Sequence, residues 1–204
     1  RCWDVDRVLQ ALPDQHPSIG AVVLVHPTYQ GYATDPAPLI DRLQQRGWPV
    51  LVDEAHGSHF ATTIDPDLPP SAVQSGADLV VHSLQKSASG LAQTAVLWLQ
   101  GNRVDPDAIE RSIGWLQTTS PSALLLASCE ASLNDWQTTP GRRRLQRRLG
   151  EARLLKRGLL NDGVPLLDTQ DPLRLVLHTG AAGISGLEAD EWLLKRGLVA
   201  ELPE

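Results

Sequence analysis

The sequence predicts an α/β fold, a mainly parallel sheet flanked by helices, and three observations carry that prediction. Short runs of apolar, largely β-branched residues near positions 19–25, 49–52 and 77–81 alternate with stretches of helical spacing, the order of strands joined by crossover helices. Each run ends abruptly in polar and glycine-rich sequence, as parallel strands do where they deliver side chains to their carboxyl-end loops. At 204 residues and 42% hydrophobic content, the chain is long enough and apolar enough to bury the core of one good-sized domain.

Taken in order, residues 4–12 predict a short helix, and residues 19–25 a strand that stops at His26-Pro27. His26 ends that strand, where it either faces a site or bonds loop backbone. Residues 36–46 predict a helix with Pro36 in its first turn, Leu39, Ile40 and Leu43 on one face, and Gly47 as its stop. The strand at 49–52 follows, then a Pro- and Asp-rich loop at 65–70, a short helix near 71–74 and the strand at 77–81. Residues 94–99 predict a further strand and Gly101-Asn102 a turn.

Downstream the pattern turns helical. Asp105 caps a helix that has Pro106 first and runs to about Leu116. Ser122 caps the next, where Leu125, Cys129, Leu133 and Trp136 recur at helical spacing and make Cys129 a core residue. Thr139 and Pro140 open a long helix with Leu145, Leu149, Ala152, Leu155 and Leu159 on one side and a basic surround from Arg142 to Arg157. Strands near 164–167 and 173–178, a helix near 187–196 and a strand at 198–200 close the chain.

Chemistry belongs at two of the strand ends. The first, running from Val50 to Phe60, offers Asp53, Ala55 and His56; the second, running from Val80 to Gly90, offers Lys86 among Ser83, Gln85, Ser87 and Ser89. A lone aspartate before a loop is usually a cap or turn residue, and a lone lysine is usually a solvated charge. Together at two strand ends they match the needs of pyridoxal 5'-phosphate: a lysine to hold it covalently, an acid for the pyridinium proton and small hydroxyl residues for the phosphate.

These residues resemble the major domain of the Orn/Lys/Arg decarboxylases, pyridoxal-phosphate enzymes of the aspartate-aminotransferase fold, fold type I. The resemblance rests on the run from Asp53 to Phe60, on Ser83-Leu84-Gln85-Lys86 and on Gly90-Leu91-Ala92-Gln93-Thr94-Ala95. Two further segments agree, His26-Pro27-Thr28-Tyr29-Gln30-Gly31 and Gln117-Thr118-Thr119-Ser120-Pro121-Ser122, and the likeness extends from about Val22 to about Glu201. It departs from the family at Gln85, where the usual residue is histidine: glutamine can donate a neutral hydrogen bond but cannot supply an imidazolium charge. It departs again at Ala123, where the family often carries an aromatic residue.

The resemblance implies decarboxylation of a basic amino acid, arginine, lysine or ornithine, to a polyamine-pathway amine. Lys86 then bonds to the cofactor, Asp53 pairs with its ring nitrogen, Ala55 lies against the ring, and His56 bonds the ring hydroxyl or the substrate carboxylate. Ser83 and Gln85 take the phosphate, and Thr119 and Ser120 reach a neighbouring subunit's site in a homodimer or higher homo-oligomer. Residues 1–163 become the later part of the major domain and residues 164–204 the start of a small domain. Family members are considerably longer, so a fragment, inactive when isolated, is expected. Another fold-type-I enzyme, such as an aldolase or an α-oxoamine synthase, and a noncatalytic remnant stay open as alternatives.

Composition narrows the classes. A net charge of −6 argues against nonspecific nucleic-acid binding, and the arginine-rich helix is better read as a solvated face or as intersubunit ion pairs. No apolar run reaches the length of a membrane span. Cys2 and Cys129 match no metal or redox spacing, which suits free thiols in a reducing, cytoplasmic setting. The six tryptophans are scattered, as core and interface residues are.

Overall fold

A computed structural model describes residues 3–13 and 19–201. Its centre is a four-stranded sheet in the order β1 (Val22–Val25), β2 (Val50–Asp53), β3 (Leu79–Ser83) and β4 (Ala95–Leu99). The first three strands are parallel, with Val25 opposite Asp53 and Asp53 opposite Val81. β4 runs antiparallel to β3, pairing Ser83 with Ala95. The link between them holds only the short helix α3 (Leu84–Ser87) and a turn, less than a parallel crossover needs.

Local signals set most helix ends as the sequence predicts. Asp4 caps α1 (Val5–Ala11), Pro36 precedes α2 (Ala37–Gln45), Asp105 caps α4 (Pro106–Leu116), Ser122 caps α5 (Ala123–Asp135) and Thr138 caps α6 (Thr139–Asn161). A capping box of Ser185 and Glu188 starts α7 (Gly186–Leu194). None of the helices among the described residues is long and apolar enough to cross a membrane.

Alternation along the strands decides which side chains reach the core. Val50 and Val52 of β2 are fully buried with Leu24 and Val80 beneath Leu39, Ile40 and Leu43 of α2, joined by Leu9 of α1 and by Trp48. Leu51 and Asp53 therefore project from the other face, beside Val23 and Val25, which are 66% and 50% exposed. A second apolar cluster packs Leu145 and Leu149 of α6 on Phe60, Ile64, Leu68 and Ala33, with Leu173 alongside.

Several expectations fail, each for a local reason. Residues 71–74 form a turn, because Glu54 takes the Ser71 hydroxyl and the Ala72 N–H and too few residues remain to repay helix nucleation. Residues 164–167 and 173–178 meet in one antiparallel bridge, Leu166 to Leu177, where Pro165 has no N–H for a longer ladder. Residues 198–200 are not a strand, since the Leu198 N–H caps α7 by donating to the Leu193 carbonyl. Cys129 is half-buried rather than core, Ser132 being the buried residue of α5, and Leu155 on α6 is exposed. Cys2 lies outside the described residues. The basic face of α6 finds partners within the chain: Arg144, Arg148, Arg153 and Lys156 pair with Asp135, Glu151, Asp65 and Asp168.

The core assignment is testable by urea unfolding. Leu43→Ala, at a side chain with no exposure, should lower stability by about 2–5 kcal/mol. Leu155→Ala, at a side chain 53% exposed, should change it by less than about 0.5 kcal/mol. Equal losses would contradict the packing described.

Candidate active site

The parallel register brings the ends of β2 and β3 side by side. Beyond β2 the Asp53 carboxylate accepts the Ala55 N–H at 3.0 Å and closes a tight turn. Gly57 completes it because a Cβ there would come within 2.6 Å of Pro27 Cδ and 2.9 Å of Glu54 Cγ. A 3₁₀ turn, Ser58–Thr62, then buries His59 and Phe60. Beyond β3, α3 carries Lys86, and Ser58 and Ser87 share a hydroxyl hydrogen bond that ties the two loops together.

Between these loops opens a cleft of about 620 Å³ lined by His56, His59, Lys86, Asp171, Arg174 and Glu201, with Gln85 and Ser87 at its wall. Lys86 Nζ stands 2.9 Å from His56 Nε2. Arg174 Nη2 donates to His56 Nδ1, and the Tyr29 ring packs on the imidazole at 4.9 Å between centroids with an interplanar angle of 75°. Arg174 also pairs with Glu201 and lies over Tyr29 at 5.5 Å.

Burial, reinforced by the neighbouring charges of Arg174 and Lys86, lowers the His56 pKa to about 4. Burial alone would push Glu201 up, but the Arg174 charge and hydrogen bonds from Tyr29 and Arg174 outweigh it and hold the carboxyl below its usual range. Deeper in the wall, His59 Nε2 meets Asp171 Oδ1 at 3.1 Å. Among the described residues, His59 Nδ1 and Asp171 Oδ2 are buried without partners.

Behind the cleft lies a second, closed network. Glu54, fully buried, accepts from Ser71 Oγ at 2.6 Å, from the Ala72 N–H at 2.8 Å and from His82 Nε2 at 2.7 Å. Trp98 Nε1 donates to His82 Nδ1 at 2.9 Å. His26 takes the backbone-bonded alternative: its Nε2 bonds the Pro70 carbonyl at 3.0 Å, and burial, partly opposed by the Glu54 charge, lowers its pKa.

The sequence-predicted residues are thus brought together in part. His56, Lys86 and Gln85 line the cleft, and the Gln85 carbonyl oxygen is taken by the Gln93 N–H. Asp53, Ala55 and Ser83 sit half-buried in the segments that carry them and are not among the lining residues. Thr119 and Ser120 are exposed in the segment after α4, away from the cleft lining. Sequence reasoning passed over Tyr29, His59, Asp171, Arg174 and Glu201 as site residues. Tyr29 and His59 lie within segments that carry the resemblance, and Arg174 left a trace as a charge inside the otherwise apolar run from Leu173 to Leu177.

Comparison with known proteins bears on the family and the fold of the chain. A family model described as the Orn/Lys/Arg decarboxylase major domain matches residues 2–172. The chain is 33% identical over 200 residues to an arginine decarboxylase of Halalkalibacterium halodurans, covering 93% of this chain and 40% of the relative. It is 30% identical over 190 residues to an arginine decarboxylase of Bacillus subtilis, covering 88% and 38%. The chain therefore spans about two fifths of the length of these curated relatives. Its fold is shared with E. coli constitutive lysine decarboxylase, at a TM-score of 0.59, 20% identity and coverage of 76% of this chain and 22% of that one. It is shared too with an aromatic aminotransferase from Pyrococcus horikoshii, at a TM-score of 0.64, 16% identity and coverage of 98% and 54%. The α/β fold class read from the sequence is the one found.

The charges around His56 give a pH signature. The folded-state value of about 4 lies below the ordinary value of 6.5, so unfolding takes up a proton between those values. The stability contributed by this residue is therefore complete above about pH 6.5 and lost as pH falls toward 4. An NMR titration of the His56 ring should show a midpoint near 4; a midpoint near 6.5 would mean that the ring is neither buried nor crowded by Arg174 and Lys86 in solution.

Proposed function

The chain belongs to the Orn/Lys/Arg decarboxylase family, and on that premise we propose that it carries the core of a pyridoxal-phosphate site for decarboxylating arginine, lysine or ornithine. The observation that supports this most is the Lys86 amine beside a His56 ring held uncharged, at the mouth of the loops that follow β2 and β3. The donor set suits the cofactor: an amine to bond its aldehyde carbon, a carboxylate at a strand end and neutral hydroxyl and amide groups for a phosphate. The cleft volume suits it too, since small-molecule sites commonly run to about 300–1,000 Å³.

When bound, pyridoxal phosphate supplies an electron sink for the charge left on Cα as carbon dioxide departs. Each residue of the chain then has a defined task. Lys86 would hold the cofactor and, as an ammonium, would be the acid placed to give a proton to Cα. Asp53 keeps the ring nitrogen protonated by offsetting its charge. Ala55 leaves room against the ring face, and His56 bonds the ring hydroxyl or the substrate carboxylate. Ser83 binds the phosphate together with the Gln85 amide NH₂, whose carbonyl end is already engaged by Gln93.

We assign residues 1–163 to the major domain and residues 164–204 to the start of a small one, just after α6 ends at Asn161; the family match itself continues to residue 172. In this reading the working enzyme is a cytoplasmic homodimer or larger homo-oligomer in which Thr119 and Ser120 serve the neighbouring site. The 204 residues on their own are inactive.

Two measurements test this. Pyridoxal phosphate added to the protein should be fixed by borohydride to the peptide containing Lys86, as seen by mass spectrometry, and Lys86→Ala should abolish that labelling. In the full-length protein, carbon dioxide should be released from one of the three basic amino acids and not after Lys86→Ala. Labelling spread over surface lysines, or release that survives loss of Lys86, would overturn the proposal.

A further inference from the structure

We infer that Ser87 is a phosphate-binding residue of the cleft, its hydroxyl hydrogen turned outward by Ser58 and given to an anionic oxygen, that of the pyridoxal-phosphate phosphate. The choice of ligand rests on the function proposed above; the direction of the hydroxyl rests on geometry and burial. Ser58 and Ser87 share one hydrogen bond in which either oxygen could donate. Burial settles which. Ser58 has no exposure, and its hydroxyl meets no other partner among the described residues. A hydroxyl carries a single hydrogen, and leaving it unpaired inside the protein is costly, so Ser58 gives it to Ser87. Ser87 is half-buried and lines the cleft, so its own hydrogen can be given to a ligand there.

The wall around Ser87 suits a group with several acceptor oxygens. Among the described residues that line the cleft, Ser87 is the one that carries a hydroxyl, Ser83 lying outside the lining. Gln85 stands two positions back with its carbonyl oxygen taken by the Gln93 N–H, which leaves its NH₂ for the cleft. Gly90 gives a stretch of wall without a side chain, because a Cβ there would fall 2.4 Å from Thr94 Oγ1 and 3.0 Å from Leu84 Cβ. Ala92 adds only a methyl group. The two carboxylates of the lining are engaged elsewhere, Asp171 Oδ1 by His59 and the Leu173 N–H, and Glu201 by Arg174 and Tyr29.

A hydroxyl that receives a hydrogen bond is polarised to give a stronger one, so Ser58 behind Ser87 strengthens what Ser87 offers an anion. The same pair also ties the loop after β2 to α3. Loss of either serine removes that tie, but only loss of Ser87 removes a donor from the cleft. The two roles are therefore separable by experiment.

The test compares pyridoxal phosphate with pyridoxal, which lacks the phosphate, by borohydride trapping on Lys86 in the wild type, Ser87→Ala and Ser58→Ala. Ser87→Ala should raise the concentration of pyridoxal phosphate needed for half-labelling about tenfold or more, the loss expected when a hydrogen bond to a charged group is removed, and leave that of pyridoxal unchanged. Ser58→Ala breaks the same tie but keeps the Ser87 hydroxyl, so its shift should be smaller. Equal shifts for the two aldehydes, equal shifts in the two variants, or no shift with pyridoxal phosphate overturns the inference. Inorganic phosphate gives a second reading without cofactor. Its ³¹P resonance should respond to the wild-type protein, and about tenfold more Ser87→Ala protein should be needed for the same response; coincident curves overturn the inference. A wild type whose Lys86 is labelled by neither aldehyde sinks the functional reading, and the phosphate titration then decides the Ser87 site by itself.

Discussion

The buried carboxylate of Glu54 is the interaction on which the site's geometry depends. A group of this polarity inside a core is costly unless its acceptors are filled, and breaking one partner of such a set typically costs several kcal/mol, about 3–5. Three donors meet it, and they come from a loop, from its following backbone N–H and from β3. Trp98 extends the chain to β4 through His82, so the network ties the carboxyl end of β2 to two further strands. Strand alternation does the rest. Because Glu54 points into the core with Val50 and Val52, its neighbour Asp53 must project from the opposite face.

The cleft in front of this anchor is governed by charge. Two cations, Lys86 and Arg174, flank one imidazole, while Glu201 and Tyr29 balance Arg174 from its other side. An imidazole in that position stays uncharged through the physiological range. The anchoring of Arg174 through Asp171 and Gly31 also makes the cleft a joint product of β2, α3 and a segment far along the chain.

That separation explains what was legible in the sequence. Asp53, His56 and Lys86 stand at the ends of apolar runs, a local pattern that marks parallel strands and their loops, and the cap residues Asp105 and Ser122 are equally local. Arg174 meets His56 across 118 positions, and no periodicity reports such a contact. The strands expected near 164–167 and 173–178 shrink to one bridge for a related reason. Their apolar pattern was real, but a ladder needs N–H groups and a partner in register, and Pro165 withholds one of them. Glu54 was overlooked because its importance lies in the donors that converge on it from residues 71, 72 and 82.

Two histidines at adjacent strand ends show how the same side chain is given opposite tasks. His82 has Nδ1 filled by the Trp98 indole, which can only donate, so its hydrogen sits on Nε2. His82 gives that hydrogen to Glu54 inside the core, where it fastens strands and takes no part in chemistry. His56 instead stands in an open cleft between the Lys86 amine and the Arg174 guanidinium. The difference comes from what each ring is packed against, which the position of a histidine in the sequence does not report.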